Sequence, residues 1–205
     1  MPELTCSMDS RAQWEFESAE ADEIFARARE GDLAAFEALM RRHERQVLGS
    51  AYRMLGRMED AQDAAQEVFL RLHRYLHRLN GPSELAPWLY RVTLNLCRDV
   101  WRRRKIGATV NLMDLEGSAV QAATSNLVTP EAQAIDAERM QWVRRGLSRL
   151  SVKERAALVL REIEGLSTRE VSEILGCRET TVRSRISGAR LKLKGFLENT
   201  TRRRP

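Results

Sequence analysis

Cysteine is nearly missing from this 205-residue chain: only Cys6, Cys97 and Cys177 occur, far apart, odd in number and without a CxxC pair. That arithmetic argues against a disulfide framework and against a zinc knuckle. Histidine is equally scarce. His73 and His77 stand at i, i+4, but no carboxylate or thiolate near them in sequence completes a ligand set, so neither a metal nor any other cofactor is expected. No apolar run approaches the roughly 20 residues of a membrane span. The first 21 residues are acidic (Glu3, Asp9, Glu15, Glu17, Glu20) and lack the apolar core of a secretion signal. A chain that stays in the cytoplasm, without membrane insertion, is the expectation. Alternating apolar and polar residues are absent over any useful length, which leaves no strands. No activated nucleophile, phosphate-cradling glycine loop or pair of acid–base carboxylates stands out, so catalysis is not expected.

What is present is charge, unevenly placed. Residues 1–21 carry one basic and five acidic residues, residues 22–105 carry 16 and 12, residues 106–134 none and three, and residues 135–205 carry 17 and nine. Two basic blocks separated by an acidic stretch suggest two nucleic-acid-facing modules on a tether. The length accommodates one large domain or two small ones. The pattern divides into an acidic extension (1–21), a first helical domain (22–105), a linker (106–134), a second helical domain (135–198) and a basic tail (199–205). The linker lacks basic residues and lasting periodicity, and about two dozen patternless residues are unusual inside one compact domain. Two bodies that move independently are therefore expected, in an all-α fold.

Helical periodicity organises both domains. Phe36, Met40, His43, Val47, Ala51 and Met54 line one face, and Gly56 follows where a C-cap glycine belongs. Asp60 is placed to cap the next helix, with Ala61, Ala65, Val68, Leu72, Tyr75 and Leu79 as its buried stripe. Asp60, Asp63, Gln66, Glu67 and Leu70 lie off that stripe, a polar surface with one apolar residue in it that suits docking of another protein. After the turn at Asn80-Gly81-Pro82-Ser83, Pro87 suits the first turn of a further helix. Its core stripe is Leu89, Val92, Leu96 and Val100. Trp88, Arg91, Asn95, Arg98 and Arg102 make a second stripe. An aromatic ring and an amide among arginines suit unstacked single-stranded bases, and the loop from Asn80 to Ala86, with Asn80 and Ser83 in it, can pocket a flipped base.

In the second domain, a cap and a proline at Thr129-Pro130-Glu131 restart the helices. Ser151-x-x-Glu154 and Ser167-x-x-Glu170 read as capping boxes. A short helix from about Thr168 to Leu175, the turn Gly176-Cys177-Arg178 and a longer helix from about Glu179 to Leu197 make a helix-turn-helix. On the last helix Val182, Ile186, Ala189 and Leu193 face the core. Thr180, Ser184 and Ser187 are small enough to admit a duplex. Arg183, Arg190 and Lys194 flank them on one side, Arg185 and Lys192 on the other. Arg178 and Thr181 stand at the start of the same surface. Arginine forks at the edges match guanine and phosphate in a major groove.

Those segments resemble a known family. Asp60 through Leu70 looks like the polymerase-docking helix of extracytoplasmic-function sigma factors in the sigma-70 family. Pro87 through Leu96 resembles their minus-ten recognition and melting segment. Leu147 through Arg155 with Gly165 through Val171 resembles the start of their region four, and Ile174 through Arg185 their minus-thirty-five helix-turn-helix. The resemblance covers about residues 22–198. Thr180 stands where many members have glycine, and the first 21 residues lie outside it. It implies a sigma factor that binds the beta and beta-prime subunits of core RNA polymerase and promoter DNA, and that an anti-sigma factor restrains. Two other readings remain beside it: a helix-turn-helix regulator that acts without being a polymerase subunit, and a helical adaptor that binds no DNA.

Overall fold

The computed structural model describes residues 20–108 and 141–201, with side chains for 20–104 and 141–200. The acidic extension up to residue 19, Cys6, residues 109–140 with the Thr129-Pro130-Glu131 start, and the tail beyond 201 lie outside the described residues. Every regular element among the described residues is helical. The first domain holds α1 (20–29), α2 (Leu33–Leu55), α3 (Met58–Tyr75) with a 3-10 turn (Leu76–Arg78), and α4 (Pro82–Ala108). The second holds α5 (141–148), α6 (Val152–Leu158) continuing into a π turn (Val159–Ile163), α7 (Thr168–Leu175) and α8 (Glu179–Thr201).

The caps explain most boundaries. Asp32 accepts from the amides of Ala34 and Ala35 to start α2, and Gly56 ends it at φ 77°, a left-handed conformation open to glycine without a Cβ clash. Asp60 is not the cap of α3: the helix starts two residues earlier, after Arg57, which leaves Asp60 in its first turn, where a carboxylate faces the positive end of the helix dipole. Nor does Pro87 open α4. Pro82 stands at the first position, and Pro87 lies inside, where its ring removes the amide that would bond Ser83. Ser83 is exposed, so its carbonyl can turn to water. Both capping boxes of the second domain are formed.

Around α1 to α4 a first core gathers Phe25, Leu39, Val47, Val68, Leu72, Leu85 and Leu89. Each such leucine withdraws enough apolar surface to contribute about 1.5–3 kcal/mol. Tyr75, placed on this stripe by periodicity, is 37% exposed instead. The helix has ended there, and the backbone turn swings its ring outward. In the second domain α5 lies so close to α8 that a Cβ on Gly146 would meet Leu193 Cδ2 at 3.1 Å.

The two domains are in contact with each other. One continuous core runs from Met54, Ala61, Tyr90, Leu94 and Cys97 into Leu147, Leu158, Val171 and Val182. Periodicity offers no cue to this, because the joining surface is assembled from residues on many different helices.

Candidate nucleic-acid interface

Gly176, at φ 61°, turns the chain from α7 into α8 and sets the angle between them. Val182, Ile186 and Ala189 are buried beneath α8, which commits that face to the core. Thr180, Arg183, Ser184, Ser187 and Arg190 are exposed on the other, with Arg178 exposed at the turn and Thr181 half-buried. The basic edges differ from expectation. Arg185 is half-buried and donates from Nη1 to Cys177 Sγ at 3.4 Å, folding back onto the turn. Lys192 donates to both carboxylate oxygens of Glu154 at 2.8 Å. That edge is held within the domain rather than offered outward.

The opposite edge is open. Arg161, Glu162, Thr168, Arg183, Ile186, Ser187 and Arg190 line a groove of about 300 Å³. Glu179 holds Arg183 and Glu162 holds Arg190, each at 2.8 Å, in exposed pairs. Pairs this exposed are weak and readily exchanged for a phosphate or a base edge. Periodicity along α8 does not reveal Arg161. It sits in the π turn, whose register departs from the ordinary helical spacing.

On α4 the stripe Trp88, Arg91, Asn95, Arg98 and Arg102 does share one side. Arg91, Asn95 and Arg102 are exposed, and Trp88 and Arg98 half-buried. Trp88 stacks on Tyr75 with centroids 5.3 Å apart, and the Arg78 guanidinium lies 5.5 Å from the Tyr75 centroid. Asn80 donates from its amide and its side chain to Glu84, each at 3.1 Å, which holds that carboxyl below its ordinary range and ties the loop to α4. Ser83 is exposed in the first turn. Arg91 donates to the Glu173 carbonyl of α7 at 3.4 Å, so the second domain touches this stripe.

On α3, Asp63, Gln66 and Leu70 are exposed, Leu70 by 51%, and Glu67 pairs with Arg71 at 2.7 Å. Asp60 departs from this set. Its carboxylate is held by Arg104 and faces Arg57, making it a tie between α3 and α4.

Sigma-70 region 2 matches residues 39–106 and sigma-70 region 4 matches residues 140–193. The chain belongs to the sigma-70 family. It is 33% identical to the RNA polymerase sigma-H factor of Pseudomonas aeruginosa over 82% of this chain and 89% of that one. It is 34% identical to the ECF RNA polymerase sigma factor SigM of Mycobacterium tuberculosis over 85% of this chain and 83% of that one. These relatives put this sigma factor in the extracytoplasmic-function group. Among solved structures it resembles CnrH in complex with the cytosolic domain of CnrY, at TM-score 0.63 and 27% identity over 87% of this chain and 98% of that one. Region 2 therefore corresponds to α2–α4 and region 4 to α5–α8. No helix of the described residues is long and apolar enough to cross a membrane, and no group of three or more histidine, cysteine and acidic residues among them is placed to hold a metal.

Between the two regions lies a polar joint that no motif in the sequence announces. Glu164, at the end of the π turn, accepts from Ser50 Oγ at 2.9 Å and Arg53 Nη1 at 3.0 Å on α2, and from Tyr90 OH at 2.9 Å on α4. Burial, with the Glu164 charge beside it, raises the Tyr90 hydroxyl above its ordinary value and keeps it a donor. The carbonyls at the C-terminal end of α2, which lack intrahelical partners, are also claimed. Arg155 and Trp101 donate to Met54 O at 2.6 and 3.0 Å, and Arg144 reaches Gly56 O at 3.5 Å. Cations there oppose the negative end of the helix dipole.

Proposed function

We propose that this sigma factor joins core RNA polymerase through the Asp63, Gln66, Glu67 and Leu70 face of α3, and directs it to promoters through α4 and α8. The observation that carries the reading is the pairing, in one chain, of region 2 and region 4 matches with exposed basic and small polar faces on the helices each match contains. On α8, Arg183 and Arg190 flank Ser184 and Ser187, so the backbone can approach a duplex while the guanidinium forks bond guanine or phosphate in the minus-thirty-five element. On α4, Arg91, Asn95, Arg98 and Arg102 follow the backbone of the minus-ten strand. The Trp88–Tyr75 stack supplies the flat surface on which a freed base packs, with Asn80 and Ser83 at its mouth.

Nothing in this division of labour requires a catalytic group, and the factor acts as a non-enzymatic initiation subunit in the cytoplasm, beside the polymerase. Because CnrH was solved with the cytosolic domain of another protein, an anti-sigma partner of comparable kind is part of the proposal. A helix-turn-helix regulator independent of polymerase would leave the region 2 match without a role. In vitro transcription with core polymerase and a promoter library tests the reading. Transcripts that start downstream of a shared pair of elements, only when the factor is present, are the expected result. Duplex binding without polymerase recruitment would overturn it.

A further inference from the structure

We propose that Arg104 is a positioning residue for promoter opening: acting through Asp60, it fixes the axial register of the docking helix α3 against the strand-holding helix α4. The consequence for promoters rests on the function proposed above, while the register itself rests on geometry. Arg104 follows closely on Arg102, the last residue of the strand-facing stripe, and its guanidinium makes two contacts outside its own helix. One is to the Asp60 carboxylate in the first turn of α3; the other, at 3.5 Å, is to the Leu55 carbonyl at the end of α2. One turn earlier on α4, Trp101 donates to Met54 O at 3.0 Å. The last turns of α4 therefore hold the corner where α2 gives way to α3. Asp60 stands one turn before Asp63, where the docking face begins. One ion pair thus links the helix that meets polymerase to the helix that holds DNA.

Packing alone leaves that register loosely set. The buried side chains in the first half of α3 are Ala61, Ala64 and Ala65, and the larger Val68, Phe69 and Leu72 come only later. Ala61 and Ala64 share a core with Leu94 and Cys97 of α4. Helices lock when the side-chain ridges of one seat in the grooves of the other, and methyl groups make shallow ridges. On such a seam a helix slides or turns at small cost. A directional polar pair removes that freedom even where it adds little stability. The Arg104 and Asp60 side chains are 36% and 26% exposed, so solvent screens their attraction and the pair serves placement more than stability. Arg57 also faces Asp60, at 3.7 Å, but it caps the same helix and is well exposed. It balances charge without tying α3 to α4. Register matters because polymerase takes hold of α3, so an error there is carried into where Arg91 and Asn95 meet the minus-ten strand. A displacement of about 1 Å is enough to degrade a positioned contact.

Variants of the full chain test the assignment: Arg104→Gln, Asp60→Asn, the two together, and Arg104→Lys, which keeps a cation beside Asp60, with Arg57→Gln as the control. Hydrogen exchange at the amides from Gln62 to Phe69 reports the hold on α3 in the free protein. Open-complex formation on a duplex promoter with saturating core polymerase, read by permanganate footprinting, reports its consequence. Arg104→Gln and Asp60→Asn should each speed exchange and lower open-complex formation several-fold. The double variant should be no worse than either single one, and Arg104→Lys should recover most of both readouts. Core affinity, binding to the minus-thirty-five duplex and melting temperature should stay near wild type throughout, as should every readout in Arg57→Gln. Unchanged exchange in Arg104→Gln and Asp60→Asn overturns the register. Faster exchange with undiminished opening overturns its link to promoters, and additive losses in the double variant overturn the pair. Core affinity lost in Asp60→Asn but kept in Arg104→Gln makes Asp60 a polymerase contact and overturns its part as a tie. A fall in melting temperature shared by Arg104→Gln and Arg104→Lys, with equal defects in opening, makes Arg104 a structural brace and overturns the proposal. If wild type itself opens no promoter with core polymerase, the sigma reading falls, while exchange still decides whether Arg104 holds α3.

Discussion

The guanidinium of Arg155 lies 4.9 Å from the centroid of the Trp101 ring, across the junction of the two regions, and both side chains donate to the same carbonyl, that of Met54. Burial pulls the Arg155 pKa down to about 10, still charged at neutral pH. A buried cation with two unmet donors contributes less than its contacts suggest. Arg155→Met, which keeps the volume and leaves Trp101 to satisfy Met54, should change unfolding free energy by less than about 1 kcal/mol. Arg155→Ala should cost about 2–4 kcal/mol through the cavity it opens. Denaturant titration of both variants gives the comparison; equal losses would mean that the charge, not the packing, matters.

Asp63→Arg and Leu70→Arg should each weaken core polymerase binding at least about tenfold, because a reversed charge or a cation would enter the docking face. Both side chains are exposed, so circular dichroism and melting temperature should hold. Affinity unchanged in both variants would remove α3 from the docking surface.

Arg183→Ala should weaken binding to a minus-thirty-five duplex by about 1–3 kcal/mol if it reads a base. Arg185→Ala should do less, since its guanidinium is turned back onto Cys177. The salt dependence separates the roles: a shallower slope with equal loss on every sequence assigns Arg183 to phosphate. A larger loss at Arg185 than at Arg183 would mean that α8 presents its other edge to the duplex.

Asn95→Ala should impair open-complex formation more on duplex promoters than on templates already melted at minus ten, because contacts to unstacked bases appear only once the strands part. Permanganate footprinting on matched duplex and bubble templates reads the difference. Equal defects on both would assign Asn95 to base capture rather than to melting.

Glu154 should make the second region sensitive to acid. Hydrogen bonds from Lys192 and then Ser151 lower its pKa from 4.5 to about 2. A depressed carboxylate stabilises the fold above the unfolded value, and that contribution is lost as pH falls from about 4.5 toward 2. Because Lys192 is about half exposed while Glu154 is largely covered, solvent screening discounts the effect to about 1 kcal/mol. Glu154→Gln should abolish that part of the pH dependence in urea melts between pH 6 and 2.5, and an unchanged profile would assign the acid transition to other carboxylates.

The amino-acid pattern alone marks the helices, the ends at Gly56, Ser151, Ser167 and Gly176, and the apolar face of α8. Periodicity marks which side of a helix is apolar, and a capping box or a left-handed glycine acts within a few residues, as at Ser151, Ser167, Gly56 and Gly176. The same locality placed Asp63, Gln66 and Leu70 on an exposed side of α3. It misled where a side chain answers to a partner outside its own helical face: Asp60 turns to Arg104, Arg185 to the preceding turn and Lys192 to Glu154. That Glu164 meets Ser50, Arg53 and Tyr90, and that Arg155 closes the end of α2 from 101 positions away, follows from the packing of the two domains. Those contacts depend on how two separately legible domains meet. No periodicity within either one encodes that orientation, because it is set by shape and hydrogen-bond complementarity between surfaces that lie on different domains.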